Sequence, residues 1–246
     1  MFKDNVMIMR MAGINDTQKL CAALLFFIAV FISPGCSNNK EAAKENTAGE
    51  ASPEHETAVK PQGKTKNIIF FGNSLTAGYG LDPSEAFPAL IQKKIDSLNL
   101  PYKVINAGLS GETSAGGKSR IDWILGQQVD VFVLELGGND GLRGIPVSET
   151  INNLQSIIDQ VRIKYPDAKI IIAGMQVPPN MGRRYADEFR SVFRKLAENN
   201  KTALIPFLLE DVGGVAELNQ PDGIHPTAEG NKIVAETVWS TLKDLL

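Results

Sequence analysis

Residues 68–80 read Ile-Ile-Phe-Phe-Gly-Asn-Ser-Leu-Thr-Ala-Gly-Tyr-Gly. Four consecutive apolar side chains ending on a glycine have the length and composition of a strand buried on both faces, as in the middle of a parallel sheet. The run stops at Gly72-Asn73-Ser74, and small residues with two further glycines follow. A strand of this kind hands its last residues to the carboxyl edge of the sheet.

The pattern outward from this stretch is consistent with that reading. Short β-branched runs at Asn67–Phe71, Lys103–Asn106, Val129–Leu136, Lys169–Ala173 and Ala203–Phe207 alternate with longer amphipathic segments around 84–98, 114–126, 148–164, 184–199 and 227 to the end. Such alternation predicts parallel strands joined by helices, in one α/β domain spanning residues 67–246. In open parallel sheets ligands bind beyond the carboxyl ends of the strands, so the residues after each run are the ones to inspect. Gly-Asn-Ser follows the first run, Ala-Gly-Leu-Ser-Gly-Glu-Thr (107–113) the second, and Gly-Gly-Asn-Asp-Gly (137–141) the third. Taken singly, each has a plain alternative: Ser74 reads equally as a helix cap, and Gly-rich Asn-Asp segments are common turns.

Histidine narrows the choice. The chain has only two, and His55 falls in a segment that cannot build a core, so a histidine-dependent mechanism has His225 as its one candidate. It stands in Pro221-Asp222-Gly223-Ile224-His225-Pro226, where Asp222 is placed to accept the imidazole Nδ1–H and leave Nε2 free as a base. Pro226 suits the first position of the helix that follows. By itself the segment also fits an Asp-Gly turn with a surface histidine.

Together these blocks resemble the SGNH, or GDSL, hydrolase family from Asn67 to the C-terminus. Gly72-Asn73-Ser74-Leu75, Gly111, Gly138-Asn139-Asp140 and Asp222-x-x-His225 match its four blocks in order. The runs Glu135–Gly144 and Gly182-Arg183-Arg184-Tyr185 are similar to its bacterial subgroup of periplasmic thioesterases, lysophospholipases and arylesterases. The resemblance implies a three-layer α/β/α sandwich on a five-stranded parallel, flavodoxin-like sheet. It implies Ser74 as nucleophile, His225 as base and Asp222 as its partner. The implied oxyanion donors are the backbone N–H groups of Ser74 and Gly111 and the side-chain amide of Asn139. The implied substrates are acyl esters or thioesters, small or lipidic, and neither metal nor organic cofactor is required. The Ser-Asp-His order is shared with α/β-hydrolases, but Thr76 stands where their elbow has its second glycine. One position departs from the family: Asn73 replaces the usual aspartate before the serine, a change expected to be tolerated because asparagine keeps an acceptor oxygen. Pro178, Pro179, Asn180 and Met181 follow the fourth strand and are candidate pocket residues, or merely a loop. A carbohydrate O-deacetylase is the alternative within enzymes, and an inactive acyl- or glycan-binding lipoprotein the alternative outside them.

The N-terminal quarter has a different character. Lys3, Arg10 and Lys19 precede an apolar run from Leu20 to Ile32, thirteen residues long, which suits a signal-peptide core and is short for a membrane span. The run leads into Ser-Pro-Gly-Cys at 33–36, which resembles a lipoprotein signal, so residues 1–36 are expected to be a leader with lipidation at Cys36. Residues 37–66 then read as a disordered tether: Ser37–Lys64 has no aromatic residue and is rich in Glu, Lys, Ala and Asn. A flexible tether of this length reaches roughly 30 Å. The expectation is an exported lipoprotein on a bacterial envelope membrane. The only other cysteine, Cys21, would be lost with the leader, which removes disulfides and cysteine metal sites from consideration. A formal net charge of −3 gives no reason to expect a nucleic-acid partner.

Overall fold

The computed structural model describes residues 64–246. The leader, Cys36 and the tether up to residue 63 lie outside the described residues, and Lys66, the last residue of the expected tether, opens the first strand.

Five strands form one parallel sheet: β1 Lys66–Gly72, β2 Tyr102–Gly108, β3 Val131–Glu135, β4 Lys169–Ala173 and β5 Ala203–Ile205. Their order is β2-β1-β3-β4-β5. This is the flavodoxin-like order, whose switch point lies between β1 and β3. In register, Ile68 lies beside Val104 on one side and Val131 on the other, and Gly72 beside Gly108 and Glu135. The edge holding Gly72, Asn73 and Ser74 is therefore at the switch point.

The helices are α1 Ser74–Ala77, α2 Phe87–Ser97, α3 Ser114–Ile124, α4 Gly138–Leu142, α5 Val147–Lys164, α6 Arg183–Asn200 and α7 Ala228–Leu242. Helix α2 packs on β2 and α7, and α7 on β5, which makes one outer layer. Helices α3, α5 and α6 pack side by side, with α6 against β4 and β5, as the other. Ile68, Ile69, Phe70 and Phe71 are fully buried between the layers. Phe70 meets Phe87 of α2 edge-on at 5.5 Å, and Phe71 meets Phe132 at 5.6 Å. Each such side chain contributes about 1.5–3 kcal/mol through burial, so β1 is firmly packed up to the turn that carries Ser74. Among the described residues no helix is long and apolar enough to cross a membrane.

Several boundaries differ from the sequence expectation. The fifth strand stops at Ile205, not Phe207, because Pro206 has no N–H to continue the ladder. The expected helix at 84–98 is two pieces: a 3-10 turn at Pro83–Glu85 closed by an Asp82 capping box, then α2 with Pro88 in its first turn. Helices α1 and α4 are too short for their periodicity to be read from the sequence. Pro226 is not the first helical position: Thr227 caps α7, its hydroxyl accepting the Gly230 N–H.

Candidate active site

The serine is placed by its own short helix. Asn73 is the cap of α1, its side-chain oxygen accepting the Leu75 N–H at 3.0 Å. Ser74 is the first helical residue, just past the fully buried run Ile68–Phe71 of β1. The structure brings His225 to it from 151 residues away: Nε2 lies 2.9 Å from the Ser74 hydroxyl oxygen. His225 Nδ1 lies 2.7 Å from Asp222 Oδ2. Because an ionised carboxylate only accepts, Nδ1 carries the proton and Nε2 is left to accept from the serine.

The Asp222–His225 segment is held mostly by its own backbone. Asp222 Oδ1 accepts the N–H groups of Ile224 (2.9 Å) and His225 (3.0 Å). The His225 backbone N–H, burial working against it, and the His225 ring hold the Asp222 carboxyl down at about 2. Gln220 bridges the segment to the first strand's loop, donating to the Tyr79 carbonyl at 2.7 Å and the Pro226 carbonyl at 3.0 Å. The Tyr79 ring covers the imidazole with centroids 4.6 Å apart.

Residues of the second and third blocks bond to each other. Gly111 sits at φ +80°, the left-handed region that favours glycine. The Arg143 guanidinium donates to its carbonyl oxygen at 3.0 Å. Its neighbour Glu112 is paired with Arg120 at 2.5 Å, and Arg120 also donates to the Ala107 carbonyl at 2.8 Å. Asn139 donates one side-chain N–H to the Glu112 carbonyl at 2.9 Å, and among the described residues its second N–H has no protein partner. Among the described residues the N–H groups of Ser74 and Gly111 donate to no protein oxygen. Asp140, next to Asn139, is fully buried and turned away, accepting the Ser114 N–H (2.8 Å) and hydroxyl (2.5 Å). It thereby ties α4 to the start of α3, which fixes the two blocks relative to each other.

Ser74, Asn139 and His225 open on one cavity of about 460 Å³. Leu142, Met175, Val177, Phe207, Leu209 and Ile224 form much of its wall. Of the pocket candidates Pro178 lines it and Asn180 and Met181 do not; Pro179–Met181 form a short 3-10 turn. The sequence reading missed Met175, Phe207 and Leu209, although the rule that sites lie past strand ends pointed to them: they follow β4 and β5 directly. Gly111 is not among the residues lining this cavity; the Arg143 guanidinium holds its carbonyl from the third block.

Below the serine lies a residue to which the sequence reading gave no role. Glu135, the last residue of β3, is 1 % exposed. It accepts hydrogen bonds from the backbone N–H of Asn73 (3.0 Å) and Thr76 (3.3 Å), the Thr76 hydroxyl (2.8 Å) and the Asn73 side-chain amide (2.7 Å). Burial pushes its carboxyl up to about 7 against the pull of these donors. A Cβ at Gly72 would run into the Thr76 hydroxyl and the Glu135 carboxylate.

Residues 70–233 match the family model described as the GDSL-like lipase/acylhydrolase family. The chain belongs to that family. Among its members, the esterase TesA of Pseudomonas aeruginosa is 42 % identical over 186 residues, covering 75 % of this chain and 92 % of its own. Thioesterase 1/protease 1/lysophospholipase L1 of Escherichia coli K12 is 37 % identical over 180 residues, covering 73 % of this chain and 84 % of its own. A crystal structure of TesA superposes with a TM-score of 0.71 at 43 % identity, over 74 % of this chain and the whole of the other. GDSL-like sequences thus account for the described domain, from the first strand into the last helix.

Proposed function

We propose that the protein hydrolyses acyl esters or thioesters through an acyl-enzyme formed on Ser74. The observation that carries this reading is the unbroken hydrogen-bond chain from the Ser74 hydroxyl through His225 to Asp222, opening on a largely apolar cavity. Serine at its ordinary pKa is a weak nucleophile, so His225 Nε2 takes the hydroxyl proton as Oγ attacks the acyl carbonyl. Asp222, held ionised, stabilises the imidazolium. Charge gathering on the carbonyl oxygen meets the N–H groups of Ser74 and Gly111 and the free amide N–H of Asn139. His225 then returns its proton to the leaving group, and water repeats the attack to release the acid.

The apolar wall supports an acyl group longer than acetyl, which weighs against the deacetylase alternative. The test is a panel of aryl esters, acyl-CoA thioesters and lysophospholipids of graded chain length, run beside Ser74→Ala. Activity that rises with chain length beyond acetyl and vanishes in the variant is expected. Activity confined to acetyl esters would overturn the acyl assignment. We further propose that Cys36 carries lipid and that residues 37–66 tether the domain to a bacterial envelope membrane. The supporting features are the apolar run before Cys36 and the polar stretch after it. An intact mass beginning at Cys36 without added lipid would refute it.

A further inference from the structure

Asn73 and Glu135 meet in a way that neither the triad nor the oxyanion site uses. The Asn73 side chain has both ends committed: its amide donates to Glu135 Oε1 at 2.7 Å, and its oxygen faces the Leu75 N–H at 3.0 Å and the Ser74 hydroxyl at 3.3 Å. Flipping the amide would set donor against donor at Leu75 and oxygen against carboxylate at Glu135. Through Asn73 and Thr76, Glu135 grips the residues on both sides of Ser74.

We propose that Asn73 and Glu135 are a matched amide–carboxylate pair in which Glu135 is a positioning residue for Ser74. The amide at position 73 is what lets Glu135 lose its proton without disturbing the turn. When Glu135 is ionised all four of its contacts are donors, and when it is protonated the Thr76 hydroxyl can accept. An aspartate at position 73 would set a second carboxylate oxygen against Oε1. Two carboxylates this close share one proton and cannot both ionise, so the turn would hold only while that proton is kept. Other charged groups reaching the turn are His225, beyond Ser74, and Arg120, 3.4 Å from the Gly72 carbonyl and paired with Glu112. Asp140 on α4 is turned to Ser114. Among the described residues none of these bonds to Glu135.

The inference rests on Ser74 being the nucleophile, and its test separates the two. Wild type, Asn73→Asp, Glu135→Gln, the double swap and Ser74→Ala are compared on one soluble aryl ester across neutral and alkaline pH, with thermal melts at each pH. Glu135→Gln sets two amide donors against each other, and a displaced nucleophile should lower kcat by about 10²-fold with KM little changed. Asn73→Asp should stay within about tenfold of wild type at neutral pH and fall away from it as the pH rises, in activity and in melting temperature. In the double swap the new amide donates to the new carboxylate, and kcat should return to within about tenfold of wild type with no added alkaline loss. A pH profile of Asn73→Asp that superimposes on wild type would overturn the proposal, as would a double swap no better than Glu135→Gln. If Glu135→Gln fails to fold, the Asn73→Asp profile still decides. If Ser74→Ala stays active, the nucleophile assignment fails, while the melts continue to report on the pair.

Discussion

The two halves of the proposed catalytic site are built in opposite ways. The turn carrying Ser74 is buried, and the group that grips it, Glu135, is 1 % exposed and lies 62 residues from Asn73. The segment carrying His225 is local: Asp222 is three residues away, its side chain 37 % exposed, and its carboxylate folds back on the N–H groups of its own loop. The proposed nucleophile is thus fixed by the core, while the proposed base is fixed mostly by hydrogen bonds within its own turn. Substitutions at the loop should therefore cost activity and spare stability, and substitutions beneath the serine should cost both.

The largest effect is expected at Asp222→Asn. The amide keeps an oxygen for the two backbone donors but offers N–H to a ring nitrogen that must itself be a donor, so the tautomer is wrong. Activity should fall on the order of 10⁴-fold. The melting temperature should stay within about 2 °C, since the site is exposed and its turn bonds survive. A melt lowered as much as the activity would erase the contrast between the two regions. Next comes Asn139→Ala, which removes a proposed oxyanion donor and should lower kcat on the order of 10²–10³-fold. A harmless result, measured on the same ester, would remove Asn139 from the oxyanion site.

On the buried side, Gly72→Ala drives a methyl into Thr76 and Glu135. Overpacking of this kind costs about 1–3 kcal/mol, read as a melting temperature lower by roughly 2–4 °C per kcal/mol in a domain of this size, with activity falling in parallel. An unchanged melt would mean the turn beneath the serine is loose.

The smallest effect is in pH, and the two carboxyls have opposite signs. Asp222 lies near 2 when folded against 3.8 unfolded, so its contribution is present above the unfolded value and lost as the pH falls through about 2. Solvent screening keeps it small. Glu135 is raised from 4.5 to about 7, so between those values the folded chain holds a proton the unfolded chain has released. Stability should fall as the pH rises through that window and level off above it. Melts of wild type and Glu135→Gln across the window check this: a wild-type slope no steeper than the variant's would contradict it.

What was legible in the sequence follows the same divide. Residues 68–74 announced both the buried strand and the serine at its end, and the lone histidine outside the expected tether, spaced three from an aspartate, announced the loop, because these signals are local. The strand order and the three layers were legible through the four ordered blocks. Glu135 was not, because its meaning depends on β3 lying in register beside β1, which brings it next to Gly72. The acceptor role expected of Asn73 is present at Leu75, but its donor role toward Glu135 was invisible for the same reason. Asn180 and Met181 lie in a short 3-10 turn outside the cavity wall, the plain loop that the sequence left open as the alternative to a pocket role.

The central claim is that His225 and Asp222 serve one nucleophile, Ser74. It is tested most directly by reacting the protein with a fluorophosphonate and measuring intact mass and the modified peptide in wild type, Ser74→Ala and His225→Ala. A single adduct on the peptide containing Ser74 is expected, absent in Ser74→Ala and formed far more slowly in His225→Ala. Labelling that persists in Ser74→Ala, or that proceeds unchanged without His225, would contradict the account.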